Sequence, residues 1–382
     1  MNLRSGLRLR LVAGAAFLAF AGLAAMAPIA SAGSALPVSC NGHPDLCNRT
    51  LDRVVLPGTH NSMAAEELGW SLPNQTYDIP GQLDRGARAF LIDTHYGREI
   101  LVDGETVIEN VDRTEGEQTG AKVYLCHVFC PGGASDLIEV LGEVRQFLEA
   151  HPNEVLVFLN EDYVAPRDFA SAVEESGLIE HVYTEPLDHW PTLAEMIESD
   201  GRVLFLAQSE RGDVPWYHLA YEGPMQETPY SFSDLQIDML TSSQGQVESC
   251  RPNRGGNSGG LFLMNHWILG NGVMPLKEFA EVVNTHQVLT ARARTCEEIR
   301  GKLPTILAVD FLGTGDVVGA ARTLNGLDTQ RPPTRPKLTP AQIRKKARTL
   351  CRKKKGRARK ACIKKQIARL QKQNVRSRPL GS

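Results

Sequence analysis

Two histidines in this chain stand where a short apolar run gives out: His60 in "RVVLPGTHNSMA" and His127 in "VYLCHVFC". Two imidazoles facing one cavity can act as general base and general acid in phosphodiester cleavage, because both titrate near neutral pH. Asn61 follows His60 directly, and Asp93 follows the run Ala89–Ile92. With a carboxylate from Glu161 or Asp162 they form a set of hard oxygen donors, suited to Ca²⁺ or Mg²⁺ rather than zinc. Each residue alone has an ordinary alternative, a hydrogen bond at a strand end. The informative feature is recurrence, since Gln208, Asn265 and Asp310 also close apolar runs.

The runs that must position these side chains are Val54–Leu56, Ala89–Ile92, Val123–Leu125, Val155–Leu159, Val203–Ala207, Gly260–Met264 and Ile306–Val309. They lack alternating polar positions, as parallel strands covered on both faces do. Between them "ASDLIEVLGEVRQFLEAH" carries a 3.6-residue apolar period, repeated more briefly in "TLAEMIES" and "PLKEFAEVVNTH". Strands alternating with helices over some 270 residues predict an α/β fold, a TIM-like (β/α) barrel, whose usual size is about 250 residues. A doubly wound sheet is the alternative. In a parallel barrel the C-terminal strand ends share one face, where active sites sit. The first strand is expected to stop at Pro57-Gly58 and present His60 there.

Charge divides the chain. Residues 33–330 hold all 44 acidic residues against 19 basic ones, an excess of 25 negative charges, whereas 331–382 hold 20 Lys/Arg and no acid. The expected organisation is a signal peptide over 1–32, a barrel over 33–330, a proline-rich linker over 331–340 and a basic helical tail over 341–382. The signal peptide is read from a basic start, an apolar stretch and the Ala30-Ser31-Ala32 site. Export predicts a secreted protein and makes nucleic acid an unexpected partner for the tail. The eight cysteines fall in neighbouring pairs: Cys40 with Cys47, Cys126 with Cys130, Cys250 with Cys296, and Cys351 with Cys362. Behind a signal peptide an even count reads as disulfides. On one straight helix Cys351 and Cys362 would lie about 16 Å apart, too far to bridge. A helical hairpin turning near Gly356 is therefore expected.

"LPGTHNS", "DIPGQLDRGARAFLIDTHY", "YLCHVFC" and "HPNEVLVFLNEDY", in that order, resemble the X-domain of phosphatidylinositol-specific phospholipase C, and in particular its secreted single-domain bacterial and plant members. Later blocks, including "SCRPNRGGNSGGLFLMNHW" and "LPTILAVDFLGTGDVVGAARTLN", carry the resemblance from Cys40 to Leu327. It implies an irregular TIM-like barrel. It also implies attack of the inositol 2-hydroxyl on phosphorus, releasing diacylglycerol and a cyclic phosphate. His60 would lie beside the attacking hydroxyl, His127 would protonate the leaving glycerol oxygen, and Asp310 would orient His60.

Metal-independent members of that family carry an arginine where this chain has Asp93, so the resemblance leans toward Ca²⁺ held by Asn61, Asp93 and Glu161. An acidic residue that Ca²⁺-dependent members place two positions earlier is Leu91 here, and strict alignment puts Asn160, not Glu161, at the last ligand position. Arg88 and Asn265 are weaker candidates for substrate contact, and Trp216 for walling a headgroup pocket with Tyr217, His218 and Trp267. The expected partners are a phospholipid at a membrane surface and, for the tail, anionic lipid or a cell-wall polymer. A glycerophosphodiester-cleaving enzyme and a catalytically weak cell-surface binding protein on the same fold are the rival functions.

Overall fold

The apolar runs form one curled sheet, in which eight strands follow each other in parallel: β1 (Leu56–Thr59), β2 (Ala89–Val102), β3 (Leu156–Asp162), β4 (Val203–Ala207), β5 (Tyr217–Leu219), β6 (Met225–Glu227), β7 (Leu261–His266) and β8 (Ile306–Val309). This computed structural model describes residues 37–327 and, in the C-terminal segment, 343, 347, 348, 351 and 355–376. The neighbour order is β5-β4-β3-β2-β1-β8-β7-β6. That is the circular order of a (β/α) barrel, with β1 flanked by β2 and β8; a doubly wound sheet would reverse order at a central switch point. No ladder joins β5 to β6, so the barrel is open on that side.

Alternation along each strand builds two cores. Leu56, Ala89, Val157, Leu159, Leu204, Leu206, Leu261, Leu263, Ile306 and Ala308 pack together with Leu46, Leu51 and Val54 of the N-terminal segment and fill the barrel. The alternate residues Phe90, Ile92, Phe158, Phe205, Phe262, Met264, Leu307 and Val309 lie outside, under helices that include Leu137–Ala150, Pro166–Glu175, His286–Arg300 and Val317–Leu324. Helix Leu137–Ala150 starts where Asp136 accepts the backbone N–H groups of Ile138 and Glu139.

The cysteines pair as neighbours. Cys40 is bridged to Cys47, and Cys250 to Cys296, with Cα atoms 5.0 Å apart in each pair. The first bridge closes the N-terminal segment that plugs the barrel. The second ties helix Ser243–Ser249, which Cys250 ends, to helix His286–Arg300 in the outer layer. Cys126 is bridged to Cys130 and Cys351 to Cys362, and among the described residues no cysteine is free.

Three strand assignments differ from the sequence-based expectation. Pro57 and Gly58 lie within β1 rather than ending it; a Cβ on Gly58 would stand 2.7 Å from Ile306 Cγ2, so only glycine lets β1 and β8 close here. Residues Lys122–Leu125 are not a barrel strand. They pair antiparallel with the far half of β2, as do Glu105–Val111, making an arm that projects from the barrel. Strands β5 and β6 are three residues each, too short for a periodic signal.

The expected signal peptide and proline-rich linker lie outside the described residues. In the tail, a helix spans Gly356–Arg376, the Cys351–Cys362 disulfide sets those Cα atoms 6.0 Å apart, and Ile343 and Ala347 pack against Ile363 and Ile367. These are the contacts a hairpin turning at Gly356 (φ +56°) requires. Among the described residues no helix is long and apolar enough to cross a membrane.

Candidate active site

The inward alternation that fills the barrel continues past the strand ends and sets what faces the open end. Leu56, Gly58 and His60 share one side of β1; Leu91 and Asp93 of β2, Leu159 and Glu161 of β3, and Leu263, Asn265 and Trp267 of β7 follow the same rule. His60, Asn61, Leu91, Asp93, Glu161, Gln208, Asn265 and Trp267 line one cavity of about 270 Å³, together with His127. Asp310 lies behind His60.

His60 is held on three sides. Its Nδ1–H donates to Asp310 Oδ1 at 2.9 Å, which leaves Nε2 with its lone pair. Trp267 lies flat against the imidazole, with centroids 3.7 Å apart and planes 5° from parallel. Gln75 Nε2 donates to the carbonyls of His60 (2.8 Å) and Val309 (2.9 Å), tying the ends of β1 and β8 together.

His127 arrives from the arm, not from a barrel strand. It follows Lys122–Leu125 and sits inside the loop closed by the Cys126–Cys130 disulfide. Val128 in that loop has φ +61°, a left-handed conformation that a β-branched residue rarely adopts. Asn61 Nδ2 donates to His127 Nε2 at 3.2 Å, so the resting ring is neutral. Burial pushes its pKa down, the nearby His60 adds to the fall, and Glu161 and Asp310 oppose it.

Asp93 and Glu161 are register partners on β2 and β3. Burial, and then repulsion from Glu161, push the Asp93 carboxyl well above the usual carboxylate range. Glu161 also accepts the Tyr163 hydroxyl. Asn160, the rival to Glu161, faces the other way and bonds Thr94 and Tyr217, because a one-residue step reverses a strand side chain. Asp162 likewise turns away, accepting the N–H groups of Ser209 and Glu210. Among the described residues no three His, Cys, Asp or Glu side chains converge as a ready-made metal cage.

Arg254, which the sequence reading missed, also lines the cavity. Its guanidinium reaches Glu227 through Nε (2.6 Å) and Nη2 (3.1 Å) and lies over Tyr221 and Tyr230. Glu227, fully buried, also accepts from Tyr221, Asn253 and Asn265, so the group is preorganised. Trp267, a candidate for the pocket wall, does line the cavity, as inward alternation from Leu261 requires. Nothing in "CRPNRGGNSGG" marks Arg254.

Two candidates are corrected. Arg88 does not face the cavity: it lies just before β2, on the outward side with Phe90, and is held by Glu154 (2.6 Å) and the carbonyls of Leu83 and Ala87. Trp216 is core, packed among Phe169, Phe205 and Tyr217. Asn265 does line the cavity, its amide donating to Thr228 and Glu227.

The family model described as PI-PLC X 1 matches residues 112–325, more than half the chain. That span holds His127, Glu161 and Asp310 but not His60, Asn61 or Asp93. A PI-PLC X domain-containing protein 1 of Arthroderma benhamiae is 28% identical over 313 residues, covering 77% of this chain and 93% of that protein. An uncharacterized secreted protein of the same fungus is 28% identical over 302 residues, covering 74% and 62%. Among solved structures, a variant phosphatidylinositol-specific phospholipase C from Staphylococcus aureus superposes with a TM-score of 0.46 at 14% identity, covering 75% of this chain and 95% of that one. A calcium-dependent phosphoinositol-specific phospholipase C from a Pseudomonas species gives 0.33 at 10% identity, covering 72% and 94%.

Proposed function

The chain belongs to the PI-PLC X family, and on that premise we propose that it is a secreted phosphodiesterase cleaving the glycerol–phosphate bond of a phosphoinositide. The observation that carries this reading is the His60–Asp310 dyad (2.9 Å) facing a cavity that His127 also lines. His60 Nε2 takes the proton of the inositol 2-hydroxyl as its oxygen attacks phosphorus. Asp310 holds the tautomer and stabilises the imidazolium. His127 gives a proton to the departing glycerol oxygen, leaving diacylglycerol and a cyclic inositol phosphate. For that step His127 must first be charged, and the anionic phosphate supplies the counter-charge.

A divalent cation fits the other wall. Asp93 and Glu161 repel each other in a buried site, and a cation between them would relieve this. Ca²⁺ takes about 6–8 oxygen ligands; Asp93, Glu161 and the Asn61 carbonyl oxygen would hold it, with water and phosphate oxygens completing the set. When bound it would neutralise charge on the phosphate. Chelation is expected to cut turnover at least tenfold, with Ca²⁺ restoring it, and Asp93→Asn is expected to abolish the restoration. Turnover indifferent to chelator would remove the metal from the proposal.

The substrate is proposed to come from a lipid layer. Directly after His127, Val128 (66% exposed) and Phe129 (63%) stand on the disulfide loop, and Val273 (69%) stands on the hairpin Leu269–Pro275 that lines the cavity. Four disulfides, and the naming of one relative as secreted, support an extracellular location. The basic tail is proposed to add attraction to anionic lipid or wall polymer.

Assaying the secreted protein on phosphatidylinositol vesicles and on glycerophosphoinositol tests the reading. Diacylglycerol and cyclic inositol phosphate from vesicles support it. Turnover of glycerophosphoinositol alone would establish the glycerophosphodiester reading, and vesicle binding with no turnover the binding-protein reading, to which the neutral resting His127 lends weight.

A further inference from the structure

From the geometry we infer that Asn74 is a positioning residue that locks both halves of the site, His60 with Asp310 on one side and Asn61 with His127 on the other, into one arrangement. Asn74 lies in the loop "LPNQTYD", between β1 and β2, and is 1% exposed. Its Nδ2 donates to Asp310 Oδ1 at 3.0 Å, and its Oδ1 accepts from Asn61 Nδ2 at 3.3 Å. Asn61 Nδ2 in turn donates to His127 Nε2. A continuous path of side-chain hydrogen bonds therefore runs from His60 through Asp310, Asn74 and Asn61 to His127, spanning three segments of chain far apart in sequence.

Two observations make Asn74 more than an occupant of this path. First, Asp310 Oδ2 is buried and has no hydrogen-bond partner among the described residues. The orientation of that carboxylate rests on the two bonds its Oδ1 accepts, from His60 and from Asn74. Without Asn74 the plane of that carboxylate rests on the His60 bond alone. Second, the residues that follow His60 and Asp310, Asn61 (φ +43°) and Phe311 (φ +49°), both hold left-handed backbone. Such conformations persist where surrounding contacts impose them. The Asn74 segment supplies those contacts: Phe311 N–H donates to the Asn74 carbonyl, Leu312 N–H to Gln75 Oε1, and Gln75 N–H to the Ala64 carbonyl. The segment clasps both strand exits where their backbones bend away.

The catalytic consequence rests on the reading proposed above; the positional one does not, and the experiment separates them. In the full-length protein Asn74→Leu keeps the shape and removes both hydrogen bonds, whereas Asn74→Gln keeps an amide. On phosphatidylinositol vesicles Asn74→Leu is expected to lower kcat about 10- to 100-fold with KM within twofold, and Asn74→Gln to recover part of the loss. In parallel, ¹⁵N-histidine spectra, assigned with His60→Ala, report the His60 tautomer. Wild type is expected to show one tautomer protonated at Nδ1, and Asn74→Leu a mixture. An unchanged His60 spectrum in a folded Asn74→Leu protein would overturn the inference, as would kcat within twofold of wild type. If wild type turns over neither lipid nor glycerophosphoinositol, the proposed function fails and the spectra alone decide the role of Asn74.

Discussion

Replacing His60 by alanine is expected to lower turnover of phosphatidylinositol by about 10³-fold, inside the range of roughly 10²–10⁴ that a positioned acid–base group contributes. KM should change little, because in the proposed reaction the imidazole meets only the attacking hydroxyl, while the polar wall of Arg254 and Asn265, both bonded to the buried Glu227, stays intact. Fold and stability should hold, since the His60 side chain belongs to neither apolar core. The imidazole does carry Trp267 on one face, so the variant's near-ultraviolet circular dichroism should change while its far-ultraviolet spectrum does not. Asp310→Asn serves as the companion, removing the acceptor that fixes the tautomer but leaving the ring in place. Wild-type turnover in His60→Ala would exclude the assigned chemistry.

The largest effect on stability is expected from Arg292→Met. Arg292 is fully buried on helix His286–Arg300, with no carboxylate among its hydrogen-bond acceptors. Its Nε donates to Ser249 Oγ (2.9 Å), Nη2 to the Ser249 carbonyl (3.1 Å), and Nη1 to the Asn265 carbonyl (2.6 Å) and His266 Nδ1 (3.0 Å). Methionine fills much of the volume but strands these acceptors, each at a cost of about 1–3 kcal/mol. The expected loss is about 3–5 kcal/mol, read from urea unfolding. A change under about 1 kcal/mol would mean that water replaces the guanidinium.

The same network sets an acid limit. His266 donates Nε2–H to the Val283 carbonyl (2.9 Å) and accepts from Arg292, so it is buried neutral. Burial first, and then the charge of Arg292, hold its pKa down to about 3, against the ordinary 6.5. A folded pKa below the unfolded one means that the unfolded chain binds the proton more readily. The stabilising contribution is complete above about pH 6.5 and is lost as pH falls from there toward 3, at up to about 1.4 kcal/mol per pH unit. Unfolding free energies measured between pH 7.5 and 5 should fall by roughly 2 kcal/mol; a flat profile would contradict a neutral His266.

What could be read from the sequence follows from which signals are periodic. The barrel was legible because Val, Leu, Ile and Phe recur in short runs at the right spacing, and His60 and Asp310 stand at the ends of two of them. Strict alignment favours Asn160 over Glu161, but burial of Val157 and Leu159 inside the barrel selects Glu161. Arg88 stands at the approach to the second strand, the end remote from the cavity, and there an ion pair with Glu154 was the ordinary alternative to substrate contact. The antiparallel arm was illegible, since Val123–Leu125 has the composition of any buried strand. Asn74 was the hardest case: a polar residue beside Pro73 reads as turn chemistry, and only folding brings it against Asp310.

The arm has a consequence for how such a protein diversifies. His60, the proposed base, and Asp310 are rooted in adjacent strands of the barrel, β1 and β8, whose residues share the core. The candidate acid is carried by an outgrowth, stapled by its own disulfide and joined to the barrel through β2. Descendants of this architecture can alter or discard His127 without disturbing the barrel strands that carry His60 and Asp310. The residue on the arm and the residues on the barrel are thus free to change separately.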